Sequence, residues 1–107
     1  MTRLLAACLI LGASVLPASA EYTVKGSVDC LDIIKEDGNE HYREYNKWWL
    51  LGYISARNYA VELLGANGVA GKNVENEEIY ALALSFCEAN QEKSWDDAAI
   101  HVYDILE

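Results

Sequence analysis

The residues best suited to chemistry in this chain are two histidines and a few serines. His41 and His101 each lie among carboxylates without a third nitrogen or sulfur ligand nearby, so we expect surface imidazoles and no metal site. Ser94 has the position of a helix cap, and no serine lies in the G-x-S-x-G pattern of a nucleophile elbow. We therefore expect no catalytic residues and no enzymatic activity.

A glycine-rich stretch invites comparison with a phosphate-binding loop. Gly65 to Lys72 ends in glycine and lysine, but Asn73 stands where the P-loop pattern requires serine or threonine. We expect a connecting loop over residues 65–75 and no bound cofactor. Its role, as a recognition surface or as a simple connection, is left open by the sequence.

Residues 1–20 have the pattern of a secretory signal peptide. Arg3 supplies the positive charge, an apolar run extends from Leu4 to Leu16, and Ala18-Ser19-Ala20 forms a cleavage site. Cleavage near Ala20 would deliver residues 21–107, a length suited to one domain, to the periplasm or the exterior.

Export determines how the cysteines are interpreted. Cys8 lies inside the predicted signal peptide, which leaves Cys30 and Cys87 as the pair in a small domain in an oxidising compartment. Their wide separation fits neither a C-x-x-C redox site nor a zinc site with four ligands. We expect a disulfide between them.

The chain is strongly acidic, with 17 acidic and 8 basic side chains and a formal net charge of −9. Such a surface repels phosphate backbones, which argues against nucleic acid as a partner. After the signal peptide no apolar run reaches the roughly 20 residues that a membrane span needs. A protein therefore remains as the expected class of partner, and a second copy of this chain is one candidate.

Hydrophobic periodicity predicts four helices and no strong strand. They are a short helix over Asp29 to Glu36, a long one capped by Asn39 and ending near Leu64, a third from about Asn76 to Asn90, and a last one opened by the capping box at Ser94. The predicted fold is all-α, a small four-helix domain closed by one long-range disulfide.

The long helix contains most of the aromatic residues. The spacing by three and four predicts that its core face consists of Tyr42, Tyr45, Trp49, Gly52, Tyr53, Ala56, Ala60 and Leu63. Trp48 and Trp49 point about 100° apart on a helix, so one of them can pack in the core while the other reaches a partner. Of two interpretations, a shared core edge and a binding surface, the second makes Trp48, Trp49, Tyr53 and Arg57 the candidate partner-binding residues.

The order of Cys30, then Trp48 to Tyr53, then Phe86 to Asn90 resembles small periplasmic proteins of the HdeA/HdeB type. That resemblance implies an exported helical domain with a retained Cys30–Cys87 disulfide. It also implies an acid-activated chaperone that exposes apolar surface to unfolded client proteins, with the Trp48 to Tyr53 region at a hydrophobic interface. In acid the side-chain charge would become strongly positive, which can loosen a small domain by self-repulsion.

A second segment is similar to the periplasmic immunity proteins that block type VI secretion amidases. Gly52-Tyr53-Ile54-Ser55-Ala56 resembles their C-x-G-Y-[IV]-x-G element, with the cysteine missing and alanine in place of the last glycine. This resemblance implies an inhibitor that binds a cell-wall amidase. We expect a non-enzymatic protein-binding domain, a stress chaperone by preference and an immunity protein as the alternative.

Overall fold

The computed structural model describes residues 22–107, so the predicted signal peptide and its cleavage site lie outside the described residues. Four helices follow one another in that part of the chain, which confirms the all-α prediction. They are α1 (Cys30–Glu36), α2 (Glu40–Leu63), α3 (Asn76–Ala89) and α4 (Trp95–Leu106). Every helix contacts at least two others, and the last two share the most extensive contact.

The segment before α1 runs extended and is attached to the start of α4. The amide of Trp95 donates to the carbonyl of Val28 at 2.8 Å, and the amide of Cys30 donates to the carbonyl of Lys93 at 2.9 Å. The hydroxyl of Ser27 donates to Asp96 at 2.8 Å. These bonds hold the segment before α1 against the start of α4.

The disulfide predicted from the sequence is confirmed. Cys30 at the start of α1 is bonded to Cys87 near the end of α3, and both residues are fully buried. The bond closes a loop of 58 residues, which contributes about 4 kcal/mol to stability when the loss of chain entropy in the unfolded state is counted. The whole of α2 lies inside this loop.

The termini of α2 follow the predicted signals. The side chain of Asn39 accepts hydrogen bonds from the amides of His41 and Tyr42, which satisfies two of the donors left free at a helix start. After the last turn Gly65 has φ +90°, a conformation that side chains disfavour. Glycine therefore ends this helix for a steric reason.

The predicted core face of α2 is wrong. The residues of α2 that are buried are Asn46, Lys47, Leu50 and Ile54. Those expected in the core lie elsewhere: Tyr42, Tyr45, Gly52, Ala56, Ala60 and Leu63 are exposed, and Trp49 and Tyr53 are half-buried. The helix is thus rotated by roughly a third of a turn from its expected orientation.

The core is formed mainly by α3 and α4. Trp95 is fully buried, and its indole Nε1 donates to the carbonyl of Asn46 on α2 at 2.9 Å. Tyr80 on α3 is also buried and packs edge-on against Trp95 with ring centroids 5.8 Å apart. Ser94 and Asp97 form the predicted capping box at the start of α4. Ile105, near the end of α4, is exposed although its spacing from Trp95, Ala98 and Val102 predicts a place on the buried side of the helix.

The loop after α2 is held against that helix by Asn58. Its side chain accepts from the amide of Ala70 at 3.1 Å and donates to the carbonyl of the same residue at 3.0 Å. At Gly68 a Cβ atom would stand 2.0 Å from the backbone oxygen of Asn58, so only glycine permits this approach. The 65–75 loop therefore has a defined position along α2.

Within residues 22–107, no helix has both the length and the apolar character that crossing a membrane requires.

Candidate protein-binding surface

Because α2 buries only one side, its opposite side faces solvent along the entire helix. We call this side the outer face of α2. Its residues recur at intervals of three, four and seven and therefore share one side of a helix. They are Tyr45, Trp48, Gly52, Ser55, Ala56, Tyr59 and Leu63, and each of them is exposed.

The aromatic side chains of the outer face are unusually open to solvent. Tyr45 is 62% exposed, Trp48 is 58% exposed and Tyr59 is 67% exposed. Single exposed apolar residues are ordinary, but several on one helix face mark a surface that other proteins can bind. Tyrosine and tryptophan are also the residues most enriched at the energetic centres of protein interfaces.

The centre of the outer face is built from small residues. Gly52 lies at the midpoint of α2, and an added Cβ atom there would meet nothing within 4 Å. Glycine inside a helix costs about 1 kcal/mol relative to alanine. Within the described part of the chain, no neighbouring atom requires glycine at this position.

No aspartate, glutamate, lysine or arginine belongs to the outer face, although the chain as a whole is acidic, and the imidazole of His41 adjoins this face beside Tyr45. The carboxylates that border it are engaged within the chain. Glu44 accepts from the amino group of Lys47 at 2.9 Å, and Glu62 accepts from the amide of Gly68 at 2.9 Å. A partner on this face therefore meets aromatic rings, hydroxyl groups and small side chains.

The two adjacent tryptophans have different surroundings. Trp48 is exposed, and its indole makes only a long hydrogen bond of 3.3 Å to Glu44. Trp49 is half-buried: its Nε1 donates to the carbonyl of Lys25 at 2.9 Å, and its ring stacks on Tyr53 with centroids 6.2 Å apart. The extended segment before α1 therefore covers Trp49 and leaves Trp48 open.

Arg57 lies on the core-facing flank of α2. Its guanidinium stands 4.3 Å from the ring centroid of Tyr103, donates to the hydroxyl of Tyr53 at 3.2 Å and lies 3.5 Å from a carboxylate oxygen of Asp104. Of the four candidate partner-binding residues, Trp48 lies on the outer face. The other three, Trp49, Tyr53 and Arg57, form a separate cluster that contacts the segment before α1 and helix α4.

A shallow groove of about 400 Å³ runs beside Trp48, between α2 and the 65–75 loop. Its walls include Ser55, Asn58, Lys72 and Ile79. The groove therefore places polar as well as apolar side chains beside Trp48.

The residues considered for catalysis and metal binding are dispersed. Within residues 22–107 no three histidine, cysteine, aspartate or glutamate side chains form a group that could hold a metal ion. His41 packs on Tyr45 with ring centroids 4.7 Å apart, and His101 packs on Phe86 at 4.9 Å. Ser94 serves as a helix cap. The two imidazoles therefore lie on different helices, α2 and α4, each beside an aromatic ring.

A charged network, which was not predicted from the sequence, joins α2 to α3. Lys47 is only 7% exposed, and its amino group is bonded to Glu77 and Glu44. Arg43 extends the network with ion pairs to Glu77 at 2.9 Å and Asp37 at 3.3 Å. Lys47 lies three residues before Leu50, so the two side chains share one side of α2. This spacing is the one sequence signal that places Lys47 near the core.

The network changes the acidity of its members. Hydrogen bonds from Lys47, followed by those from Arg43, hold the pKa of Glu77 below its ordinary value of 4.5. A hydrogen bond from Lys47 lowers the pKa of Glu44. In return the carboxylates of Glu77 and Glu44 raise the pKa of Lys47. The carboxylates of this contact therefore remain charged to lower pH than free carboxylates do.

No protein-family model, no curated protein and no solved structure matches this chain.

Proposed function

We propose that this protein is a non-enzymatic, exported chaperone of the HdeA/HdeB type, which binds unfolded client proteins on the outer face of α2. The observation that carries the proposal is the uncharged aromatic strip formed by Tyr45, Trp48 and Tyr59. Apolar surface of this kind is what an unfolded chain, with its own apolar residues exposed, would bind.

The charged network supports acid dependence of this activity. The folded-state pKa values of Glu77 and Glu44 lie below 4.5, so their contribution to stability is complete above about pH 4.5. It is lost as the pH falls through the folded-state values. Protonation would then leave the buried amino group of Lys47 without a countercharge, and the contact between α2 and α3 would weaken.

Client binding is tested by aggregation assays with the purified oxidised protein at about pH 7 and about pH 2.5. Tyr59→Ser removes one ring from the outer face, and Tyr22→Ser serves as the matched control because Tyr22 is equally exposed, at 65% against 67%. We expect suppression of aggregation that is stronger in acid, reduced severalfold by Tyr59→Ser and unchanged by Tyr22→Ser. An equal effect of the two substitutions, or no suppression at either pH, would refute the proposal.

One observation favours a second candidate, an immunity protein that blocks a cell-wall amidase. In the segment that resembles the immunity element, Gly52, Ser55 and Ala56 lie on the outer face, in the position where a partner would contact them. An acidic surface would also accelerate association with a basic enzyme. Tight, saturable inhibition of one such amidase at neutral pH, without effect on unfolded proteins, would favour this function over the first.

A further inference from the structure

We propose that a small cavity, enclosed by the segment before α1 together with α2 and α4, binds a trimethylammonium group through three aromatic rings and one carboxylate. These groups belong to Tyr22, Trp49, Tyr53 and Asp96. The cavity shares no residue with the outer face of α2, and ligand binding there does not depend on chaperone activity.

The size of the cavity limits its occupant. Its volume is about 250 Å³, below the about 300–1,000 Å³ that is usual for drug-sized ligands, so it suits a ligand of few atoms. The extended segment, α2 and α4 all contribute to its walls, which include Tyr22, Val24, Trp49, Tyr53, Asp96 and Ile100. The hydrogen bonds that attach the segment to α4 therefore also close this cavity.

Two of the aromatic rings form one wall and are held in place by their polar atoms. The indole Nε1 of Trp49 donates to the carbonyl of Lys25 at 2.9 Å, and the hydroxyl of Tyr53 accepts from Arg57 at 3.2 Å. The two rings lie 20° from parallel, with centroids 6.2 Å apart. The faces of aromatic rings carry negative potential and attract a cation that lies within about 6 Å of a ring centroid. This wall is therefore arranged to attract a cation before one arrives.

Asp96 contributes a negative charge that has no countercharge within the described residues. Its Oδ1 accepts from the hydroxyls of Ser27 at 2.8 Å and Ser94 at 2.6 Å, which fix the carboxylate in position. No ion pair within residues 22–107 includes Asp96, although Lys25 also borders the cavity. Asp96 is half-buried, where a carboxylate without a countercharge is costly. A bound cation would supply that countercharge.

The surroundings of the cavity are negative as well. Partial burial of its phenol, followed by the charge of Asp96, raises the pKa of Tyr22, and Asp97 acts in the same direction. The start of α4 carries about half a positive charge and Lys25 carries one, and the two carboxylates outweigh them. The net charge of −9 over the whole chain concentrates cations at its surface and repels anions. The charge balance therefore favours a cation as the occupant.

The lining selects the kind of cation. A metal ion needs several ligands, and no three histidine, cysteine, aspartate or glutamate side chains within residues 22–107 form a suitable group. A primary ammonium needs acceptors for three N–H groups, and the side chains of Val24 and Ile100 offer none. A trimethylammonium group donates no hydrogen bond and has an apolar surface, so it exchanges water for this lining at little cost.

The test is titration of the purified oxidised protein with choline at neutral pH, followed through the NMR signals of the indole N–H groups. We expect a saturable shift of the Trp49 signal with a Kd of about 1 mM, and no shift of the Trp48 signal from the outer face. The matched ligand is the neutral isostere of choline in which a carbon atom replaces the nitrogen. It should bind about tenfold more weakly, because it lacks the charge that the rings and the carboxylate attract.

Substitution of Asp96 tests the carboxylate. Asp96→Asn removes the charge but keeps an oxygen that can accept from Ser27 and Ser94, so the variant should retain its fold and raise Kd about tenfold. Asp32→Asn removes the same charge at an exposed position of α1 that does not line the cavity, and it should leave Kd unchanged. An unmoved Trp49 signal, equal binding of the neutral isostere, or an unchanged Kd in Asp96→Asn would overturn the proposal.

Two substitutions separate this site from client binding. Tyr22→Ser should weaken choline binding severalfold and leave client binding intact, whereas Tyr59→Ser should do the reverse. Failure of client binding with normal choline binding would refute the proposed function alone.

A trimethylammonium group occurs both on free small molecules and on lipid headgroups, so a second experiment distinguishes these sources. The protein is sedimented with vesicles of pure phosphatidylcholine. Cosedimentation that choline displaces would identify a lipid headgroup as the ligand. Saturation by choline without cosedimentation would identify a free organic cation.

Discussion

The amino group of Lys47 on α2 is bonded to the carboxylate of Glu77 on α3, with the lysine buried and the glutamate half-exposed. This contact brings together residues 30 positions apart and, with the ion pair between Arg43 and Glu77, joins the two helices by charge. Because one partner is buried, the pair depends on its charges more than an exposed ion pair does. It is the point at which we expect the fold to respond to pH.

Glu77→Gln should remove part of the acid sensitivity of the fold. The pKa of Glu77 is lowered in the folded state, so its charge adds stability above about pH 4.5 that disappears as the pH falls. The variant should have a lower Tm at neutral pH and a flatter dependence of Tm on pH in acid. Glu78→Gln is the matched control, since Glu78 is exposed and stands outside the network. An identical pH profile for both variants would show that Lys47 needs no countercharge from Glu77.

The same contact should limit stability in alkaline solution. The raised pKa of Lys47 contributes stability that is complete below its ordinary value of 10.5 and is lost as the pH rises through the folded-state value. Lys47→Met keeps the length of the side chain and removes its charge, so Tm should fall less steeply at high pH in this variant. Lys35→Met, at an exposed position of α1, should leave the alkaline limb unchanged.

Replacing both cysteines should cost most of the stability of the domain. Opening the loop between Cys30 and Cys87 restores chain entropy to the unfolded state, and we expect a loss of about 4 kcal/mol in the free energy of unfolding. A domain of this size has roughly 5–10 kcal/mol in total. Urea titration of the Cys30→Ala, Cys87→Ala double variant measures the loss. A midpoint equal to that of the oxidised protein would contradict the expectation.

Gly26→Ala should release Trp49 from the segment that covers it. Gly26 has φ +82°, and an added Cβ would stand 2.9 Å from the indole Nε1 of Trp49. Gly65→Ala is a matched control with φ +90° and open space around the Cβ. Both changes should destabilise by about 1 kcal/mol or more through backbone strain. Only Gly26→Ala should shift the indole NMR signal of Trp49, whose hydrogen bond to Lys25 it displaces.

Asn58→Ala should free the 65–75 loop from α2. The substitution removes both hydrogen bonds to Ala70 and the acceptor of the Tyr103 hydroxyl, which together predict a loss of about 1–3 kcal/mol. Amide hydrogen exchange at Ala70 should accelerate strongly, while exchange in α4 accelerates only to the extent that global stability falls. Asn67→Ala, at an exposed position of the same loop, should leave exchange at Ala70 unchanged.

The helices were predictable because their capping residues are local signals in the sequence. The disulfide was predictable because the number of cysteines limits the possible pairings. Asn39 and Ser94 cap helices with side chains that bond to amides two or three residues away. The pairing of Cys30 with Cys87 followed from the predicted export to an oxidising compartment and from the presence of two cysteines after the predicted signal peptide. Neither conclusion required knowledge of which surfaces of the helices meet.

The orientation of α2 was not predictable in the same way. Its aromatic residues form a more continuous apolar pattern than Leu50 and Ile54, which share their face with Asn46 and Lys47. The polar pair is acceptable in the core only because distant groups satisfy it: Asn46 donates to Glu36, and Lys47 donates to Glu77. Periodicity identified two faces of one helix, and tertiary contacts decided which of them is buried.

The position of the disulfide also governs what can happen to α2 when the helices separate. Because Cys30 and Cys87 stand on either side of it, α2 belongs to a covalent ring, and it cannot drift away from α1 and α3 however far the core opens. The helix therefore stays tethered to the parts from which the domain must reassemble. Refolding then takes place within a single ring of chain that the disulfide closes.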